Sequence, residues 1–272
     1  HCVGFIGAGM ISQIAYLPFF LKEKNIYVKT ISDDRYSVKK YLVNYFRVAN
    51  VVDDFNDVLN DKDIKTVIII TPRKANAKLA FEALRKGKNV IIEKPLGYSK
   101  KQISKLIGMA KKHNTRLHVC HMKRYDVGIQ KTKLLLNSYL KNEELGKLIT
   151  SNFYNYSSNY VSEIPKHQKK NESRLIRYPT WESHPDWLRE KYHSSYDWFL
   201  NVAIHNINLM NFFFNNDLLF NKAQMINFQN VKSDFIFKKN IPVTFDLVKS
   251  DTGKWTEGGQ FIFEKGRMSF EI

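Results

Sequence analysis

The first 120 residues alternate short β-branched runs with longer stretches of helical spacing, and this alternation restricts the chain more than any other feature. Residues 2–6, 27–32, 66–71, 89–92 and 116–120 read as strands. The runs at 66–71 (TVIIIT) and 89–92 are almost wholly apolar, as parallel strands covered on both faces should be. Residues 10–24, 37–46, 75–86 and 100–113 read as helices. In the third of these, Leu79, Ala80, Ala83 and Leu84 fall on one face. Strand, helix and strand in repetition require right-handed crossovers, so the expected fold class is α/β Rossmann, a doubly wound parallel sheet.

After Met122 the pattern changes. A helix near 127–141 and a strand near 147–156 lead into a polar, aromatic and basic stretch, 157–192. Alternating patterns then dominate at 224–230, 234–238, 243–249, 259–264 and 268–272, with turns expected at 239–242 and 251–253. The second part is therefore expected to be an α+β domain with a largely antiparallel open sheet. A length of 272 residues agrees with two domains at roughly 150 each. The expected division is 1–121 for the Rossmann domain and 122–272 for the α+β domain. The sequence stops inside a strand pattern at Phe270-Glu271-Ile272, so further C-terminal material is expected. A few native residues are likewise expected before His1, and no secretory leader is visible.

Composition removes several classes. The chain is 43% hydrophobic and 25% charged, with 12 Gly and 7 Pro, which excludes collagen-like and wholly disordered chains. Apolar stretches such as 14–21 fall far short of the ~20 residues of a membrane span, so no membrane association is expected. Cys2 and Cys120 are too few for a disulfide framework and have no metal-ligand spacing, so no metal is expected. Reduced thiols point to a cytoplasmic protein. The formal net charge is +17, which favours anionic partners. Lys outnumbers Arg about threefold, a bias typical of AT-rich coding, and no recognition module accompanies the charge. Nucleic acid is therefore not an expected partner. Lys166, Lys169, Lys170, Arg174 and Arg177 read as a solvated run, with a flap over an anionic substrate as the alternative.

The sextet Gly7-Ala8-Gly9-Met10-Ile11-Ser12 follows the first strand and opens the first helix. Gly7 allows the tight turn, and Gly9 lets a pyrophosphate approach the backbone and the helix N-terminus. Ser12 replaces the third glycine of the G-x-G-x-x-G pattern but is small enough for close helix–strand packing. This context makes Gly7, Gly9, Met10 and Ile11 cofactor-binding candidates. The second strand ends in Ser32-Asp33-Asp34-Arg35. Asp33 stands where ribose hydroxyls are held, and its charge would repel a 2′-phosphate. Arg35 would lie over the adenine or pair with that phosphate. NAD is thus favoured, with NADP possible. Thr71-Pro72 and Glu93-Lys94-Pro95 end two further strands at the carboxyl edge, where doubly wound sheets bind ligands.

Together, VGFIGAGMIS and IIITPRKANAKLAFEALRKGKNVIIEKPL resemble the glucose–fructose oxidoreductase/inositol dehydrogenase (Gfo/Idh/MocA) family over about 120 residues. HMKRYDVGIQKTK and the helix carrying His205 extend the likeness. The resemblance implies that Glu93 lies near the nicotinamide-side ribose and that Thr71, Pro72 and Asn76 flank the cofactor. It also implies that Lys94 reaches the reacting hydroxyl. The chemistry agrees, because an ammonium stabilises charge developing on an alcohol oxygen as hydride leaves carbon.

Residues 197–215 form a very apolar helix on which Asn201, His205 and Asn208 share a face at i, i+4 and i+7. In the family, a D-x-G-x-H-x-x-D motif presents a His to the substrate with an Asp four residues earlier. Here those acids are Asn201 and Asn208, and a neutral amide cannot stabilise imidazolium as a carboxylate does. His205 is the candidate proton relay beside Lys94, and Asn201 a hydrogen-bond partner for a sugar hydroxyl. Arg124 and Tyr125, after the sixth strand, either touch substrate or nicotinamide amide or tie the domains together. The expected function is an NAD(P)-dependent oxidoreductase. It would transfer hydride to or from a secondary alcohol or ketone of a sugar, cyclitol or nucleotide-sugar. The alternative is a catalytically impaired NAD(P)-binding sensor or assembly subunit. By resemblance, a homo-oligomer through the antiparallel sheet is expected.

Overall fold

The computed structural model describes residues 1–158, 177–182, 184–227, 230–250 and 254–272. Contacts divide the chain into two units. The first holds His1–Cys120 and the described part of 165–189; the second holds the remainder. Lys166, Lys169, Lys170 and Arg174 of the basic run, and the turn at 251–253, lie outside the described residues.

The first unit is built on a six-stranded sheet of β1 (Cys2–Ile6), β2 (Tyr27–Ser32), β3 (Val51–Val52), β4 (Thr66–Ile69), β5 (Asn89–Glu93) and β6 (Leu117–Cys120). Every pairing is parallel and the order is β3-β2-β1-β4-β5-β6. All carboxyl ends therefore meet along one edge, with the order reversing between β1 and β4. Helices α2 (Tyr36–Asn44), α3 (Phe55–Asn60), α4 (Arg73–Arg85) and α5 (Lys100–Lys112) bury their apolar stripes on this sheet. β3 and α3 are elements that the sequence patterns did not reveal; two residues are too few to show a period.

The first helix, α1, spans residues 10–20 rather than 10–24. Its central segment Ser12–Tyr16 is π-helical, and the Leu17 N–H bonds back five residues to the Ser12 carbonyl. Pro18 follows at once and has no N–H to give an α-helical ladder, so a local change of register costs little here. The helix then ends in a turn at Leu21 and Lys22.

The second unit contains α6 (Val127–Asn142), α7 (His193–Phe213) and a six-stranded sheet of order β12-β11-β7-β10-β9-β8. Its strands are β7 (Leu148–Ser157), β8 (Leu218–Asn227), β9 (Asn230–Phe237), β10 (Ile241–Lys249), β11 (Thr256–Phe263) and β12 (Gly266–Glu271). The sheet is mostly antiparallel but mixed, since β10 runs parallel to β7. Its core is aromatic: Phe153, Phe213, Phe214, Phe245 and Phe261 are buried together with Leu209 and Met210 of α7.

Candidate functional site

The sequence-predicted residues of the first unit gather at the carboxyl edge of its sheet. Gly7 sits at φ +90°, and a Cβ there would run into the Ile70 carbonyl, so only glycine fits. Its N–H donates to the Ser32 carbonyl at 2.9 Å, which binds the turn to the end of β2. At Gly9 a Cβ would meet no protein atom within 4 Å. The space over this backbone is open, and α1 begins here with Met10 and Ile11. The Ser12 hydroxyl donates to the Gly7 carbonyl at 2.7 Å, and the Gln13 amide donates to the Ala8 carbonyl at 2.8 Å. Bare backbone at a helix N-terminus, braced from below, fits a dinucleotide pyrophosphate. Met10, Ile11, Gly7 and Gly9 are the residues that would hold it.

Asp33 is fully buried. Its carboxylate accepts the Ala8 N–H at 3.0 Å and both the Nε and a terminal nitrogen of Arg35 at 2.8 Å. Asp33 and Arg35 thus form a bidentate pair, and the Asp33 bond lifts the Arg35 guanidinium above its ordinary value. In this structure the Asp33 carboxylate organises the glycine turn itself.

Lys94 follows β5 and is half-buried, with its backbone held on both sides. Asn76 of α4 is fully buried, and its amide donates to the Glu93 carbonyl at 3.0 Å and the Pro95 carbonyl at 3.2 Å. The Asn76 amide oxygen in turn accepts from the Thr71 hydroxyl at 3.0 Å. Pro72 caps the start of α4. Glu93 accepts the Lys94 N–H at 3.1 Å through one carboxylate oxygen and the Tyr16 phenol at 2.5 Å through the other. Burial and the Glu93 charge push the Tyr16 phenol well above its ordinary value, so it stays a donor. Burial likewise raises the neighbouring Cys120 thiol. Sequence reasoning missed Tyr16. A helical period places it correctly only if the π-helical turn is known.

Residues 177–182 and 184–189 supply aromatic cover within the same unit. Tyr178 packs against Phe55, Trp181 against Phe81, and Lys105 lies over the Trp181 ring at 4.9 Å. The Gln102 amide donates to the Glu182 carbonyl at 2.6 Å.

In the second unit, α7 carries its predicted polar residues. His205 is buried, and Asn201 and Asn208 are half-buried. The Arg124 guanidinium donates to the Asn208 side chain at 2.5 Å and lies over Phe212. Arg124 is therefore tied to α7, while Tyr125 is exposed. One residue beyond His205, the buried Asn206 was not anticipated. It accepts from the Asn155 amide at 2.8 Å and donates to Glu257 at 3.2 Å, and Asn155 also donates to Glu257. Lys123 closes the network by pairing with Glu257, although burial holds its ammonium below the ordinary lysine value.

Residues 2–121 match the model of an oxidoreductase family with an NAD-binding Rossmann fold, GFO_IDH_MocA. Residues 2–121 belong to this family. Among curated family relatives, the oxidoreductase YrbE of Bacillus subtilis is 28% identical over 143 residues, 53% of this chain and 40% of that protein. Inositol 2-dehydrogenase of Salmonella typhimurium is 27% identical over 166 residues, 59% of this chain and 47% of the enzyme. The chain thus spans less than half the length of these two relatives. Among solved structures, scyllo-inositol dehydrogenase of Lactobacillus casei, with NAD(H) and scyllo-inositol bound, superposes with a TM-score of 0.74. That match has 16% identity and covers 99% of this chain and 75% of that one, and it shows the shared fold. The family's Rossmann fold binds NAD. Among the described residues no helix is long and apolar enough to cross a membrane.

Proposed function

We propose that the protein is an NAD(P)-dependent oxidoreductase acting on a secondary alcohol or ketone of a sugar, cyclitol or nucleotide-sugar. The observation that carries this reading is the double restraint on Lys94. Asn76 grips the carbonyls on either side of it, and Tyr16 fixes the Glu93 carboxylate before it. A solvated lysine needs no such frame, whereas a group that must meet a reacting oxygen does. The nicotinamide ring supplies the hydride chemistry when bound. Lys94 polarises the substrate oxygen, His205 relays its proton, and Asn201 orients a neighbouring hydroxyl. Inositol dehydrogenases among the relatives support cyclitols and sugars as the first compounds to test.

In the proposed cofactor set, Gly7, Gly9, Met10 and Ile11 face the pyrophosphate, Asp33 and Arg35 the adenosine, and Thr71, Pro72, Asn76 and Glu93 the nicotinamide half. We also take residues 1–121 as the cofactor domain and 122–272 as the substrate and oligomerisation domain. The protein is taken to be a cytoplasmic homo-oligomer that binds no nucleic acid.

Incubation with NAD and a panel of inositols, sugars and nucleotide-sugars, followed by nicotinamide absorbance, tests the activity. Single-turnover hydride transfer by Lys94→Ala should fall about a hundredfold or more, and an undiminished rate would remove Lys94 from the mechanism. A second reading, a cofactor-binding protein without turnover, is favoured by one observation. Asn208, in place of the family's acid, is already committed to Arg124. It predicts NADH affinity with no absorbance change across the whole panel.

A further inference from the structure

At the amino-terminal edge of the first sheet, away from the glycine turn, lies a cleft of about 480 Å³. It is bordered by Lys62 and Lys65 just before β4 and by Lys86, Gly87 and Lys88 just before β5, with Leu59 and Asn60 of α3 and Ile64 completing the lining. Four lysines therefore line one concavity.

Three of the four heads are tethered, and none is paired with an acid among the described residues. The Lys88 ammonium donates to the Asp61 and Ile64 carbonyls, the latter at 2.7 Å. The Lys86 ammonium donates to the Asn60 side chain at 2.6 Å, and the Lys65 ammonium to the Lys62 carbonyl at 2.9 Å. All these acceptors are neutral. The two nearby carboxylates, Asp61 and Asp63, are both taken by Lys29, at 2.8 and 2.7 Å. Among the described residues, no acid pairs with any of the four lysines. Lys88 is 7% exposed, and burial and then the Lys65 charge press its ammonium below the ordinary lysine value, against the smaller opposing pull of Asp61 and with a further push from Lys86.

Such an arrangement is unfavourable by itself and favourable toward an anion. Cations clustered without counter-charge raise the local potential, and a concave, partly desolvated wall focuses it. Chain entropy is already spent where the ammonium heads are tethered. Gly87 adds no Cβ to the cleft, where none would meet protein within 4 Å.

We propose that this cleft is a second ligand site, which takes a phosphate or diphosphate group of a small molecule. It lies at the opposite sheet edge from the cofactor turn, so its occupant is not the NAD of the dehydrogenase reading. Its existence does not depend on that reading.

Titration calorimetry of the full chain with inorganic pyrophosphate at low salt, in the presence of excess NADH, tests the site. We expect one pyrophosphate to bind with a dissociation constant below about 1 mM, and the affinity to fall steeply with salt. Lys62→Gln/Lys86→Gln changes two exposed side chains and should weaken binding about tenfold or more. Lys131→Gln/Lys141→Gln, on exposed positions of α6, removes the same charge elsewhere and should leave the affinity within about twofold. Equal loss in both pairs would mean that only the diffuse field of the chain was measured, and would overturn the proposal. An unaffected Lys62→Gln/Lys86→Gln protein would also overturn it, as would binding abolished by NADH.

Discussion

Tyr16 and Asn76 show how single side chains build the proposed reaction centre. The Tyr16 phenol has an ordinary value of 10.0 and is pushed up in the folded chain. Above pH 10 the folded protein therefore keeps a proton that the unfolded chain releases. Stability must fall as pH rises through this window, by up to about 1.4 kcal/mol per pH unit from one group. Urea unfolding between neutral and strongly alkaline pH should show this slope, and Tyr16→Phe should reduce it. Asn76→Ala strips the partner from two carbonyls beside Lys94, at an expected cost of about 1–3 kcal/mol in the same assay. Residue-level legibility was uneven. Gly7, Lys94 and Glu93 could be read because each stands at a strand tip in a recognisable string. Tyr16 could not, since its role depends on one extra residue in a helical turn. Asp33 was legible as important, but its bonds to Ala8 and Arg35 depend on three-dimensional closeness that no spacing reveals.

At the scale of elements, most strands and helices follow from apolar periodicity, because each must bury one face. The exceptions have physical causes. β3 is too short to carry a period, and α1 changes register before Pro18. The parallel pairing of β7 with β10 is invisible to alternation, which is the same for either direction. Joining α7 to this sheet is the buried set Lys123, Glu257, Asn155 and Asn206. Glu257→Ala leaves the Lys123 ammonium buried without its acid and should cost about 3–5 kcal/mol in urea unfolding. Replacing both partners, as Lys123→Met/Glu257→Leu, should recover most of that loss. A double variant as unstable as the single one would show that the network's value lies in its amides rather than its charges.

For the whole molecule, the +17 charge bounded the possible partners without choosing among them. The structure locates part of it in the cleft lined by Lys62, Lys65, Lys86 and Lys88. Cofactor choice is readable at this scale as well. Ligand bound only to the folded state adds about 2.7 kcal/mol at a hundredfold excess over its dissociation constant. Thermal melts should therefore rise more with NADH than with NADPH at equal concentration. The reverse order would mean that Arg35 leaves Asp33 to meet a 2′-phosphate.

The parallel β7–β10 pair also sets a timetable for synthesis. β7 is among the first parts of the second unit to be made, yet its partners β10 and β11 follow about a hundred residues later. Until they emerge from the ribosome, a strand carrying Phe153 and Tyr154 has neither neighbour. The first unit's sheet, by contrast, has all its strands by Cys120. A nascent chain of this protein thus holds a finished nucleotide cradle beside an unpaired β-strand for much of its translation, and that interval is where a chaperone would be needed most.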